Sequence, residues 1–265
     1  MKIMLLLIVI FAFNIDTFAK KQKTNYSKIP VPKIGYQELV KETNFPQLTL
    51  ADNDTKIGRI QRALRWENIV RAVENRYGIP RNYLLAMICV ESEGDPTQPN
   101  LSGDGGVGLI HMQPLLATKY GLDLITDSKK LRDFVQGKKI DKLIEKYGGD
   151  LKDLIKYDDR FHPIKNLDAA TRMLCDLKIR FNSWNLALRA FSGRRTYAKK
   201  IINYAQNIGN KKFMLGVVRD FNDRNKNNKI SNKKLNFKLY ISKFHNLNRN
   251  YGLDQYKKLK KYKVK

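Results

Sequence analysis

The chain has 265 residues, 42% of them hydrophobic, and a net charge of +26. That length and apolar content suit one domain with a sizeable core plus extensions, and they exclude a chain that is disordered throughout. The charge favours an anionic partner. The two cysteines, Cys89 and Cys175, are too few for a disulfide scaffold and read as small buried hydrophobes.

Residues 1–19 carry Lys2, a short apolar run ending at Phe13, and Thr17-Phe18-Ala19 with small residues at the −3 and −1 positions of a cleavage site. This is a signal-peptide pattern, with an uncleaved anchor as the alternative. The run is short for a membrane span, which takes roughly 20 residues. Export sets the partner expected for the basic charge. Nucleic acid is not expected; cell-wall carboxylates or envelope phosphates are.

Residues 20–57 contain Pro30, Pro32 and Pro46 among scattered polar residues and read as an irregular extension. Helical periodicity begins near Arg62. Trp66, Ile69, Val70, Val73 and Tyr77 form one stripe. Gly78 ends that helix, and Pro80 suits the first turn of the next. There Leu84, Met87, Ile88 and Glu91 share a face, so a carboxyl group emerges at the end of an apolar stripe. Burial disfavours the charged form of such a group and raises its pKa.

Residues 94–108 hold five glycines and form a loop. Helical texture returns at Leu115–Tyr120. Residues 122–160 are charged, are interrupted by Gly148-Gly149, and read as two or three short helices in a surface insertion. The strongest helical pattern is Leu167, Ala170, Leu174, Leu177 and Phe181. Two further helices are expected from Trp184 to Phe191 and from Thr196 to Ala205. No segment before residue 209 alternates as a strand, so the expected class is mainly α. From 209 to 265 the chain has 17 Lys and Arg against three Asp and no Glu. This segment reads as a basic C-terminal extension able to bind an anionic envelope surface.

Glu91-Ser92, then Gly108-Leu109-Ile110-His111, then Asn166, then Ala190-Phe191 and Tyr197 form an ordered set. Together they resemble the lytic transglycosylases of the soluble, lysozyme-like family. That family carries a helix-borne Glu-Ser, a Gly-Leu-Met-Gln loop, an Asn that opens a helix, and Ala-Tyr-Asn followed by Tyr. The resemblance covers about residues 66–205. It implies a goose-lysozyme-type helical domain over residues 58–208. It also implies cleavage of the β-1,4 bond between N-acetylmuramic acid and N-acetylglucosamine in peptidoglycan, with Glu91 as the single acid and then base. The product would be a 1,6-anhydro sugar, formed without cofactor or metal in the periplasm or outside the cell. Substrate-binding roles fall to Ser92, Gly108, Leu109, His111, Gln113, Asn166, Phe191 and Tyr197.

This chain departs from the pattern at two motifs, and its insertion between the loop and Asn166 is longer than the family's. His111 stands in the glutamine position, with Gln113 as the residue a small slip would use instead. Phe191 has lost a phenol hydroxyl, for which Tyr197 or His111 is the candidate replacement. Asn166 is equally readable as a helix N-cap, and Glu93 reads as a solvated side chain. A goose-type hydrolase and a silent wall-binding protein are the competing functions. Asp223–Ser231 resembles the start of a calcium loop, but Lys234 stands where a bidentate Glu belongs, so a polar turn is expected.

Overall fold

The computed structural model describes residues 25–30, 50–52, 54–125 and 134–226. The signal-peptide reading, most of the N-terminal extension and the tail beyond Lys226 lie outside the described residues. Among those described, the chain is mainly α, with no strand and one isolated bridge between Val107 and Met112. The helices are α1 (Lys56–Ala63), α2 (Glu67–Tyr77), α3 (Tyr83–Glu91), α4 (Pro114–Lys119) and α5 (Phe134–Lys146). They continue with α6 (Leu151–Leu154), α7 (Pro163–Phe181), α8 (Trp184–Ser192), α9 (Tyr197–Gly209) and α10 (Lys211–Arg224).

The helix that ends at Glu91 is the centre of the body. Every residue from Leu84 to Cys89 is fully buried. A helix apolar on all sides belongs inside a core rather than at its edge. The stripe read from the sequence therefore understates α3, which is enclosed by α1, α2 and α9. Pro80 precedes this helix in a turn closed by Tyr83 N–H donating to the Pro80 carbonyl, and Asn82 takes a left-handed φ of 71°. The α2 stripe holds as drawn: Trp66, Ile69, Val70, Val73 and Tyr77 are all buried, and Gly78 caps the helix at φ 65°.

The long helix α7 lies beneath this layer and joins distant segments. Arg172, fully buried, pairs with Asp168 and donates to the carbonyls of Tyr26, Ile29 and Tyr120. Part of the expected irregular extension is thus tied to the body, where Tyr26–Lys28 makes one 3-10 turn. Cys89 and Cys175 are buried and unbridged. Burial pushes the Cys175 thiol up to about 12, so both behave as inert core groups.

Two expected boundaries move. The segment after residue 208 does not begin as a separate tail. Asn210 caps α10 by accepting from Phe213 N–H, and Val217 and Phe221 are fully buried. Gln61 of α1 donates to the Val217 carbonyl and to Asp220, so the packed body runs to at least Arg224. The charged stretch 122–160 forms α5 and α6 as expected, but its end is not surface. Asp158 and Arg160 form a fully buried ion pair, and that pair reaches the loop described next.

Candidate active site around Glu91

The backbone at Glu91 is fixed on both sides. Ser92 closes α3 by donating its N–H to the Ile88 carbonyl. The Glu93 carbonyl accepts from Arg62 Nε, and the Gly94 carbonyl accepts from Arg65 Nη2 and Trp66 Nε1. Gly94 lies so close to α1 that a Cβ there would sit 2.6 Å from Arg62 Cβ. The carboxyl group is therefore delivered from a point with little freedom to move.

The loop facing it is held from behind. Asn166 is fully buried on α7. Its Oδ1 accepts from Ile110 N–H at 2.9 Å, and its Nδ2 donates to the carbonyls of Ile110 (3.1 Å) and Val107 (3.4 Å). Arg160, paired with Asp158, donates to the carbonyls of Gly105 and Met112. Ser92 Oγ donates to the Leu109 carbonyl at 2.8 Å. Gly108 sits where this anchor meets the loop, at φ +96°. A Cβ there would stand 2.2 Å from Asn166 Nδ2 and 2.3 Å from the Arg160 carbonyl oxygen, so only glycine fits.

In front of the anchor, Glu91 meets His111 and Tyr197. Only 15% of the Glu91 side chain is exposed. Burial raises its pKa to about 7, against a lowering influence from the Tyr197 hydroxyl and Arg194 and a further raising one from Asp104. The Tyr197 hydroxyl is buried and stops short of a full hydrogen bond with any partner. Glu91 is nonetheless the group it acts on, and the anion there raises the phenol's own pKa, after burial has done most of that work. Phe191 stacks on the Tyr197 ring, with centroids 6.3 Å apart.

His111 stands with Nδ1 3.7 Å from Glu91 Oε2 and Nε2 3.0 Å from the Gln98 carbonyl oxygen. A carbonyl only accepts, so Nε2 carries the ring proton and Nδ1 is left as a lone pair. Burial lowers the His111 pKa to about 4, with the Gln98 carbonyl and Asp104 opposing. Near neutral pH the imidazole is uncharged. Of the two candidates for the missing phenol donor, Tyr197 is therefore placed to donate and His111 is not.

Asp104 is the residue that the sequence reading missed. Burial alone would raise its pKa, but donors from Gln113, Gly106, Ser102 and Asn100 outweigh that and hold it low. Asn100 Nδ2 reaches both carboxylate oxygens, Gly106 N–H reaches Oδ1, and Gln113 Nε2 reaches Oδ2 at 2.7 Å. The signal was an acid within a glycine-rich loop, four residues after an Asn. The outcome is a permanent anion that organises the loop and biases Glu91 toward its neutral form.

The expected site residues thus divide. Glu91, His111 and Tyr197 come together, with Phe191 behind Tyr197 and Gln113 reaching the site through Asp104. Ser92, Gly108, Leu109 and Asn166 were expected to bind substrate. Ser92, Leu109 and Asn166 are fully buried, and Gly108 is packed against Asn166 and Arg160. They hold the loop and cannot reach a ligand arriving from solvent. Nor is Asn166 an N-cap: His162 occupies that position of α7. Glu93 is not solvated but pairs with Arg59 at 2.6 Å.

Among the described residues no group of three or more His, Cys, Asp or Glu side chains could hold a metal ion. Of the calcium-loop-like segment, Asp223 pairs with Lys226, and positions 227–231 lie outside the described residues. Set against protein-family models, curated proteins and solved structures, the chain matches none of them.

Proposed function

We propose that this chain is a peptidoglycan lytic transglycosylase of the soluble, lysozyme-like kind, acting in the periplasm or outside the cell. The observation that carries the reading is a buried helix-end carboxyl, Glu91, facing a loop whose own acid, Asp104, is saturated with hydrogen-bond donors. Glu91 is held with its pKa near 7, so it has a proton to give at neutral pH. Asp104 is ionised, and its lone pairs are taken by four donors, so it is committed to the loop. A two-carboxylate glycosidase needs its second acid free to act as nucleophile or base. A single-acid scheme needs only Glu91.

In that scheme Glu91 donates its proton to the glycosidic oxygen between N-acetylmuramic acid and N-acetylglucosamine, and that C–O bond breaks. The substrate's own N-acetyl carbonyl stabilises C1. Glu91, now a carboxylate, is stabilised by the Tyr197 hydroxyl and the Arg194 charge, which both favour its ionised form. It then takes the proton of the muramic O6 hydroxyl as that oxygen bonds to C1. The acid is regenerated, no water is consumed, and the product ends in a 1,6-anhydro ring. One group acts first as acid and then as base. The His111 lone pair beside Glu91 adds an acceptor for a sugar hydroxyl or N–H at the same place.

Mass spectrometry of purified sacculi incubated with residues 20–265 tests this. Anhydromuropeptides are expected. Products with reducing muramic ends identify a hydrolase instead, and no soluble product from the folded protein identifies a silent wall binder.

A further inference from the structure

Between Asp176 and Asp220 the chain runs 43 residues without an acid and carries ten Lys and Arg: Lys178, Arg180, Arg189, Arg194, Arg195, Lys199, Lys200, Lys211, Lys212 and Arg219. All lie in described structure, from the end of α7 through α8 and α9 into α10. Eight are exposed, and Lys178 and Arg189 are half-buried. None is ion-paired with a carboxylate within 4 Å among the described residues. Elsewhere in the body acids are interspersed with the cations, and Arg59, Arg71, Arg160, Lys165 and Arg172 are paired with them. A cationic face without internal partners repels itself and is relieved by an external polyanion.

This face continues into the site. Arg194 and Arg195 occupy the turn between α8 and α9, flanked by Phe191 on one side and Tyr197 on the other. Those two rings stack beside Glu91, and the Arg194 guanidinium lies within electrostatic reach of the Glu91 carboxyl. We infer that Arg194 and Arg195 form a carboxylate-binding subsite that selects glycan strands carrying free peptide-stem carboxylates, with the rest of the cationic face tracking the strand. The argument rests on the transglycosylase reading for the identity of the sugar. Two points favour a stem carboxylate. An anion held by Arg194, whose charge acts on the Glu91 carboxyl, lies near the bond at Glu91, where the stem peptides branch. A guanidinium fork also matches a carboxylate in a bidentate way that an ammonium does not.

The test uses soluble glycan strands with native tetrapeptide stems and the same strands with their carboxylates amidated. Binding is measured with full-length Glu91→Gln, which does not turn over, at physiological ionic strength. Native strands are expected to bind about three- to tenfold more tightly than amidated ones, in line with two partly exposed ion pairs. Adding Arg194→Gln/Arg195→Gln should abolish that preference. Adding Lys139→Gln/Lys142→Gln, which removes the same charge from α5, should leave it intact. The inference is overturned if native strands do not bind, if native and amidated strands bind alike, or if the arginine double variant keeps the preference. Failure of the catalytic reading looks different. There the strands bind with the preference, yet the wild-type protein releases no product of any kind.

Discussion

Two buried polar clusters meet at the loop 103–113, and they are built on opposite rules. Behind the loop, Asn166, Arg160, Asp158 and Ser92 spend their polar atoms on backbone or on each other. In front of it, Tyr197 Oη has no full hydrogen bond, His111 Nδ1 keeps a free lone pair, and Glu91 meets both without a close partner. Buried polar groups are normally satisfied, because leaving one unmade costs about 1–3 kcal/mol. The satisfied groups fix the geometry of the loop, and the open positions of Tyr197 and His111 lie beside Glu91.

The sharpest way to break this contrast is to remove the acid. Glu91→Gln keeps size and hydrogen bonding but has no proton to give. On the proposed function, the initial rate of glycan cleavage should fall by at least about a hundredfold, the lower range of general acid–base catalysis. A variant keeping more than about a tenth of the rate would remove Glu91 from the mechanism.

The anchor should fail in stability rather than in chemistry. Gly108→Ala forces a Cβ onto Asn166 and the Arg160 carbonyl at a left-handed φ. Strain and overpacking together predict a loss of about 2–6 kcal/mol, read as a lower urea midpoint. An unchanged midpoint would mean that the loop is not pinned as described.

The front cluster should do the reverse, because it buries an ionisable carboxyl whose charged form is disfavoured. The Glu91 pKa in the folded protein lies above its unfolded value, so between roughly pH 4.5 and 7 the folded state holds a proton that the unfolded state has released. Stability therefore falls as pH rises through that window and stays reduced above it. Glu91→Gln removes the loss. The variant should be more stable than wild type by about 1–3 kcal/mol at pH 8 and no more stable at pH 4, as thermal unfolding at the two pH values would register. Equal stability at pH 8 would contradict the buried, raised carboxyl.

The smallest effect expected is that of Tyr197→Phe. The ring still stacks on Phe191, and the lost hydroxyl has no full hydrogen bond to forfeit, so stability should change by less than about 1 kcal/mol. Without that donor the ionised form of Glu91 is less favoured. The alkaline limb of the pH–rate profile should move up, by less than about one unit. A downward shift would show that Tyr197 does not stabilise the carboxylate.

The sequence made one side of this contrast legible and obscured the other. Periodicity located α2, α7, α8 and α9, and the apolar run before Glu91 pointed to a raised carboxyl. Motif order brought Ser92, Gly108 and Asn166 near Glu91, but spacing does not tell whether a side chain faces solvent or its own backbone. All three face inward. Arg160 and Asp158 were hidden in a charged stretch, because composition cannot distinguish a solvated pair from a buried one. The same charge density concealed α10, although Val217 and Phe221, four residues apart and preceded by Asn210 as a cap, were the signal.

The most direct test of the central claim is an NMR titration of the Glu91 side-chain carboxyl in the full-length protein, assigned by its absence in Glu91→Gln. If the front cluster holds the acid neutral, that carboxyl titrates near pH 7. A midpoint near 4.5, the value of an ordinary glutamate, would contradict the account.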